Sequence, residues 1–252
     1  MWLAPAYNPR GDRVKSERPS PIVLVHGAWH GGWCWERVTP ALREAGHEVF
    51  TPTLTGLAER AGELTRTTGL QTHIADIGAV LEERDLHEVI LVGHSYGGMV
   101  ISGVAAALPA RVGALVYLDA FVPGAGDSVM TLLPPDRAAH FAQSATQSGD
   151  GWRIPPPTAA GMGVTSPADA AWLEARLTDH PLLAFTQPLP HDPPPAHAVA
   201  RRYLRCNPGS PSFAAVAARL QADPAWEYRE LETGHDAMIT VPDELAALLL
   251  AT

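Results

Sequence analysis

Val89-Ile90-Leu91-Val92-Gly93-His94-Ser95-Tyr96-Gly97 is the stretch that decides the fold. Its first four residues are apolar and largely β-branched, and read as a short buried strand. Residues 99–107 are small and apolar and read as a buried helix. Between them lies a G-x-S-x-G pentapeptide in the strand–turn–helix context of a nucleophile elbow. Such a turn is sharp enough to stand the serine side chain clear of the sheet. The residues two places to either side must then be tiny, as Gly93 and Gly97 are. The pentapeptide alone recurs in unrelated chains as a plain turn. The flanking strand and helix make Ser95 a candidate nucleophile.

Outward from this stretch the pattern repeats. Residues 22–25 are a buried strand that ends in His26-Gly27 and a loop rich in Gly and Trp. A helix is expected over 35–45, stopped by Gly46, then a strand over 48–51 and a helix over 72–83 with Ile74, Ile77, Val80 and Leu81 at helical spacing. A strand over 114–118 ends at Asp119. Alternating strands and helices predict a mostly parallel central sheet with flanking helices, an α/β fold. Residues 121–200 break the rhythm: they hold 13 of the 24 prolines, too many for strand ladders. We read 121–199 as an inserted cap of helix and Pro-rich loop, and 1–20 as an irregular arm. The core is 21–120 with 200–252. In its second part come a strand over 203–206, a helix over 213–221, a strand over 226–231, and a last helix from Pro242, whose first turn Asp243 and Glu244 suit.

The chain has 252 residues, a formal net charge of -9 and 46% hydrophobic residues, enough for one sizeable core. That balance argues against nucleic acid as a partner. No apolar run approaches the ~18 residues of a membrane span, and 1–20 lacks the apolar stretch of a signal peptide. Cys34 and Cys206 form no disulfide framework. The expectation is a cytoplasmic protein with reduced thiols and a small-molecule substrate, and the sequence is silent on oligomeric state.

Open parallel sheets place their sites beyond the carboxyl ends of the strands. Residues 26–28, Ser95, Asp119 and His235 all fall there. A serine hydroxyl is a weak nucleophile until a base takes its proton, and His235, just beyond the last strand, is placed to do so. The N–H groups of Tyr96 and Ala28 are the candidate oxyanion donors, with Gly27 letting that backbone approach closely. No His, Cys or carboxylate spacing suggests a metal site. Trp29, Trp152, Trp172 and Phe185 read either as a substrate pocket, with Gly27, or as ordinary packing.

These segments, with residues 23–33, 92–99 and 234–238, resemble the α/β-hydrolase superfamily, in the branch of plant methylesterases, hydroxynitrile lyases and bacterial esterases. The resemblance covers about residues 21–120 and 200–250. It implies a serine mechanism without cofactor and a pocket between core and cap. Hydroxynitrile lyases that resemble this chain carry Thr at the position of Gly27 and Lys directly after the catalytic His, where Asp236 stands. An aspartate would oppose the leaving cyanide anion, so cyanide release is not expected. The family also supplies its acid a few residues after the 203–206 strand, and here residues 207–212 hold no carboxylate. Asp119 is the candidate acid, with a structural turn-capping role as its alternative. A site with no acid, oriented by Asn207 or Ser210, stays open, and Asp223 is expected at the opposite edge. The resulting expectation is a serine hydrolase of small, largely apolar carboxylic esters or lactones. The competing readings are a lyase, cyclase or isomerase using the Ser/His pair for proton transfer, and a non-catalytic ligand-binding protein.

Overall fold

The computed structural model describes residues 19–195 and 197–251. Most of the expected arm, residues 1–18, lies outside the described residues, and with it the reading that this segment carries no signal peptide. In chain order the elements are β1 (Ile22–Val25), α1 (Thr39–Glu44), β2 (Val49–Phe50), α2 (Leu70–Glu83), β3 (Val89–His94), α3 (Gly97–Ala107) and β4 (Val112–Leu118). Then follow α4 (Val129–Leu132), α5 (Pro135–Ser148), β5 (Arg153–Ile154), α6 (Pro167–Glu174), β6 (His180–Pro181) and α7 (Leu182–Thr186). The chain ends with β7 (Ala200–Pro208), α8 (Ala214–Gln221), β8 (Glu227–Thr233), α9 (Ala237–Thr240) and α10 (Pro242–Leu250).

Six strands pair in parallel in the order β2-β1-β3-β4-β7-β8. The expected parallel sheet with flanking helices is therefore the observed architecture. The chain winds outward from β1 to β2, then crosses back over β1 to begin β3. At that reversal the loops leaving β1 and β3 diverge and open a crevice at their carboxyl ends. Residues 26–28 and Ser95 lie at its mouth.

The period of two along each strand divides the core between the faces of the sheet. Val23, Val25, Leu91 and Tyr117 pack in one cluster with Ile77 of α2, Met99 of α3 and Leu220 of α8. Ile22, Leu24, Val92 and Leu118 belong to the other, with Leu42 of α1 and Leu245 and Leu249 of α10. Helix α3 is buried over Gly97–Ala105, which accounts for its apolar character all round.

Several elements extend a few residues beyond the sequence reading, as β7 does at both ends of 203–206, and two differences are larger. The helix expected from 35 begins at Thr39, after a 3-10 turn over Gly32–Trp35. Pro40 has no N–H to continue a helix begun earlier, but its fixed φ suits a first turn. The region 121–199 also contains a short antiparallel pair, with Arg153 opposite Pro181 and Ile154 opposite His180. A pair two residues long leaves Pro181 at an edge, where a proline is tolerated. This region is bonded to the crevice rim through Trp29: its indole Nε1–H donates to the Ile154 carbonyl at 2.9 Å, and Thr178 N–H donates to the Trp29 carbonyl at 3.0 Å. Among the described residues no helix is long and apolar enough to cross a membrane.

Candidate active site

Ser95 follows β3 in a left-handed conformation, φ 53°. That conformation costs a non-glycine residue about 1–3 kcal/mol, so its surroundings must hold it. Ser95 N–H donates to the Leu118 carbonyl at 3.1 Å, and the Ser95 carbonyl accepts from Gly98 N–H at 3.1 Å and Phe121 N–H at 3.2 Å. The neighbouring glycines are steric necessities. A Cβ on Gly93 would meet the Gly97 carbonyl oxygen at 2.6 Å, and one on Gly97 would meet the Val25 carbonyl oxygen at 2.6 Å.

Asp119 follows β4 in the same unusual region, φ 40°, with its side chain fully buried and its N–H donating to the Leu204 carbonyl of β7 at 2.8 Å. Its Oδ2 lies 2.7 Å from Nδ1 of His235 and accepts from Ser210 N–H at 3.0 Å. Its Oδ1 is paired with the buried guanidinium of Arg205. Arg205 donates further to the Ser210 carbonyl at 3.1 Å and the Pro208 carbonyl at 3.0 Å. A carboxylate facing three donors accepts from all of them, so the His235 ring proton sits on Nδ1 and Nε2 keeps its lone pair. Gly209 makes room for this arrangement: at φ 49°, its added Cβ would meet the Cys206 carbonyl oxygen at 2.1 Å and Asp119 Oδ2 at 3.0 Å. Asn207 turns outward to Glu230, and Asp223 accepts from Ala225 N–H. Neither meets His235.

Ser95, His235, Ala28 and Tyr96 line one cavity of about 70 Å³. Ser95 and His235 face this shared space without a hydrogen bond between their side chains, a common state of unliganded catalytic pairs. The N–H groups of Ala28 and Tyr96 have no hydrogen-bond partner among the described residues. Gly27 lies beneath, where a Cβ would come 2.8 Å from His94 Nδ1 and 3.0 Å from the Ser95 Cβ. Gly27 thus serves close approach and does not line the cavity.

Trp29 and Phe185 line the cavity; Trp152 and Trp172 do not. Trp152 lies under the guanidinium groups of Arg66 and Arg153 beside a separate surface hollow. Trp172 packs edge-on against Trp33, with Arg37 and Arg176 over its ring. Their cation–π partners hold both rings away from the crevice. The sequence reading did not anticipate Phe121, Phe141, Met162 and Phe213, which join the cavity wall with Val129, Leu133 and Arg137 among others. The signal for Phe213 was the short distance in sequence from the acid-less loop.

Behind the site lies a set of buried histidines. His73 Nε2 donates to the Thr55 carbonyl at 3.0 Å, so its Nδ1 accepts from the Tyr96 hydroxyl at 2.8 Å. His26 Nδ1 donates to the Gly27 carbonyl at 2.8 Å and its Nε2 accepts from Leu54 N–H at 3.1 Å. Burial pushes His26 down to about 3 and His73 to about 4, and holds His94 and His180 well below the usual imidazole range. These four are neutral at pH 7. His30 differs. Burial opposes its charge, but Asp236 Oδ2 at 3.2 Å outweighs that and raises its pKa. Asp236 is lowered in turn: burial alone would raise it, and the charge of His30 prevails. Asp236 therefore spends its charge on His30 away from the cavity. This corrects the picture of an aspartate facing a leaving anion; what persists is the missing lysine. His94, His235 and Asp236 each bring one possible ligand atom within 4.8 Å of the others. His94 Nε2 already donates to the His235 carbonyl at 3.1 Å, and Asp236 is bonded to His30, so this geometry serves the protein's own hydrogen bonds. Burial raises both thiols, Cys34 and Cys206, well above their ordinary range, which leaves them poor nucleophiles.

The family model described as "Alpha/beta hydrolase family" matches residues 22–248. The carbendazim hydrolyzing esterase of Nocardioides sp. (strain SG-4G) is 41% identical over 239 residues, covering 91% of this chain and 98% of that protein. Salicylic acid-binding protein 2 of Nicotiana tabacum is 40% identical over 106 residues, 40% of each chain. A solved structure, an extracellular alpha/beta-hydrolase from a Paenibacillus species, superimposes with a TM-score of 0.77 at 24% identity, covering 92% of this chain and 98% of that one. At that identity the likeness speaks for the fold.

Proposed function

Because the chain belongs to the alpha/beta hydrolase family and is an esterase-like enzyme, we propose that it hydrolyses small, largely apolar carboxylic esters or lactones through an acyl-enzyme on Ser95. The observation that carries this reading is the 2.7 Å contact of Asp119 with His235, in a cavity shared with Ser95 and two unpartnered N–H groups. His235 Nε2 takes the Ser95 proton as Oγ attacks the carbonyl carbon. The carbonyl oxygen becomes an oxyanion held by the N–H groups of Ala28 and Tyr96. The bond to the leaving oxygen breaks and His235 returns the proton to it. Water then attacks the acyl-enzyme, gives its proton to His235, and releases the acid and a restored Ser95. Asp119 holds the ring tautomer and stabilises the imidazolium at each step. Its contact with His235 removes the motive for the lyase, cyclase or isomerase reading, which rested on a missing acid. No step calls for a cofactor.

A fluorophosphonate should label the protein one to one at Ser95, and p-nitrophenyl acetate should be turned over. Carbendazim belongs in the first panel, since the 41%-identical relative is named for hydrolysing it. Ser95→Ala should abolish both labelling and turnover while leaving the fold intact. Near-wild-type turnover by that variant would overturn the reading.

A further inference from the structure

The cavity at Ser95, about 70 Å³, is about half the ~150 Å³ that admits one benzene molecule in an apolar interior. An ester with anything beyond a small acyl group cannot sit wholly inside it. An open groove of about 730 Å³ adjoins it, and three residues, Phe121, Ser212 and Phe213, line both. Phe121 and Phe213 meet edge to face with ring centroids 4.8 Å apart. Phe213 also stacks on the His235 ring at 5.5 Å and 25°. This aromatic pair forms part of the edge that cavity and groove share.

We infer that the groove is the subsite for the leaving group, and that it takes a ring-bearing alcohol. The inference rests on the serine-hydrolase reading and adds the substrate class. Its side follows from proton chemistry. His235 must reach the leaving oxygen, while the carbonyl oxygen points toward the N–H groups of Ala28 and Tyr96. The alcohol portion therefore departs on the His235 side, where Phe213 borders the groove. The acyl portion remains among Trp29, Phe141 and Phe185. Beyond that shared edge the groove wall carries Trp226, with the Arg201 guanidinium 5.4 Å over its ring. Flat aromatic faces suit a ring. Arg201 is itself fixed in that wall, its guanidinium over Trp226 and its Nη2 donating to the Pro194 carbonyl. Three carboxylates line the groove, and each accepts a backbone N–H: Asp127 from Gly124 at 2.9 Å, Asp192 from Ala125 at 2.7 Å and Asp223 from Ala225 at 2.9 Å.

The test compares methyl acetate, benzyl acetate, 2-naphthylmethyl acetate and benzyl octanoate. The two arylmethyl alcohols are of nearly equal acidity, so differences between them report fit. For the wild type, kcat/KM should be higher for 2-naphthylmethyl acetate than for methyl acetate by about tenfold or more, and should fall for the octanoate. Ala215→Trp, on the exposed side of α8 along the groove, should remove the naphthylmethyl advantage and leave methyl acetate within about twofold. Val216→Trp is the second obstruction, should the first be accommodated. If neither changes the ratio, or if both penalise the octanoate instead, the assignment is overturned. A separate arm uses Ser95→Ala and calorimetric titration with 2-naphthylmethanol. Binding that Ala215→Trp abolishes supports the groove even if no ester is turned over, a result that would overturn only the hydrolase reading. No binding overturns the groove.

Discussion

Lowering the pH from 7.5 to 5 should strip this protein of much of its stability through histidines that never meet substrate. His26 and His73 are buried and held at about 3 and about 4, against about 6.5 in the unfolded chain. Their folded-state values are depressed, so the unfolded state takes up protons first. The stability they support is present above pH 6.5 and is lost as pH falls below it. At pH 5 each costs about 2 kcal/mol, at about 1.36 kcal/mol per pH unit, and the pair therefore about 4 kcal/mol. His94 and His180 act in the same direction. His30, raised by Asp236, gives back a little as pH falls toward 6.5 and is flat below it. Asp236 is lowered, so its contribution is lost only below the ordinary carboxylate range, outside this window. Against a total of about 5–15 kcal/mol for a domain, the loss is large. Urea unfolding followed by tryptophan fluorescence at pH 7.5, 6 and 5 reads it directly. The slope between pH 6 and 5 should be about 2.7 kcal/mol per pH unit or steeper. His26→Asn should remove about half of the share that His26 and His73 carry. Stability equal at pH 7.5 and 5 would refute the reasoning.

Asp119→Asn should cut kcat by about 10⁴. The Arg205 donor takes the amide oxygen and turns the NH₂ toward His235, which forces the ring proton onto Nε2; steady-state kinetics on p-nitrophenyl acetate checks this. Arg205→Ala removes one partner of a buried pair and should cost about 3–5 kcal/mol of unfolding free energy, read by the same urea titrations. Mandelonitrile should release no cyanide above the uncatalysed rate, because no lysine follows His235; saturable release that depends on Ser95 would contradict this.

The sheet was legible because its evidence is local. Residues 22–25, 89–92 and 114–118 are continuous apolar runs, and the elbow glycines sit within two places of Ser95. Asp119 came into view as the only carboxylate at a suitable strand end once residues 207–212 offered none. What surrounds it did not, because it depends on register. Arg205 meets Asp119 only because β4 and β7 pair with Leu118 opposite Leu204, and Gly209 matters only for the atom its missing Cβ would touch. Trp152 and Trp172 show the converse failure. Aromatic composition says a ring will be packed, but its direction is set by Arg66, Arg153, Arg37 and Arg176, and no spacing encodes which guanidinium will cover which ring.

Ser95 and Asp119 stand on adjacent strands, and their backbones are tied to each other and to β7 by ladder-like bonds from Ser95 N–H to Leu118 and from Asp119 N–H to Leu204. In the proposed mechanism, proton relay and substrate choice then fall to different parts of the chain. The loop after β7 presents Ser210 N–H to Asp119, the Ser210 carbonyl to Arg205 and the Phe213 ring to His235, so of its residues Ser212, which lines both cavity and groove, is the one free to be exchanged for a side chain of another shape. A new specificity can be drafted there by substitution while the proposed chemistry keeps its frame, which makes position 212 the first place to randomise when a different alcohol is wanted.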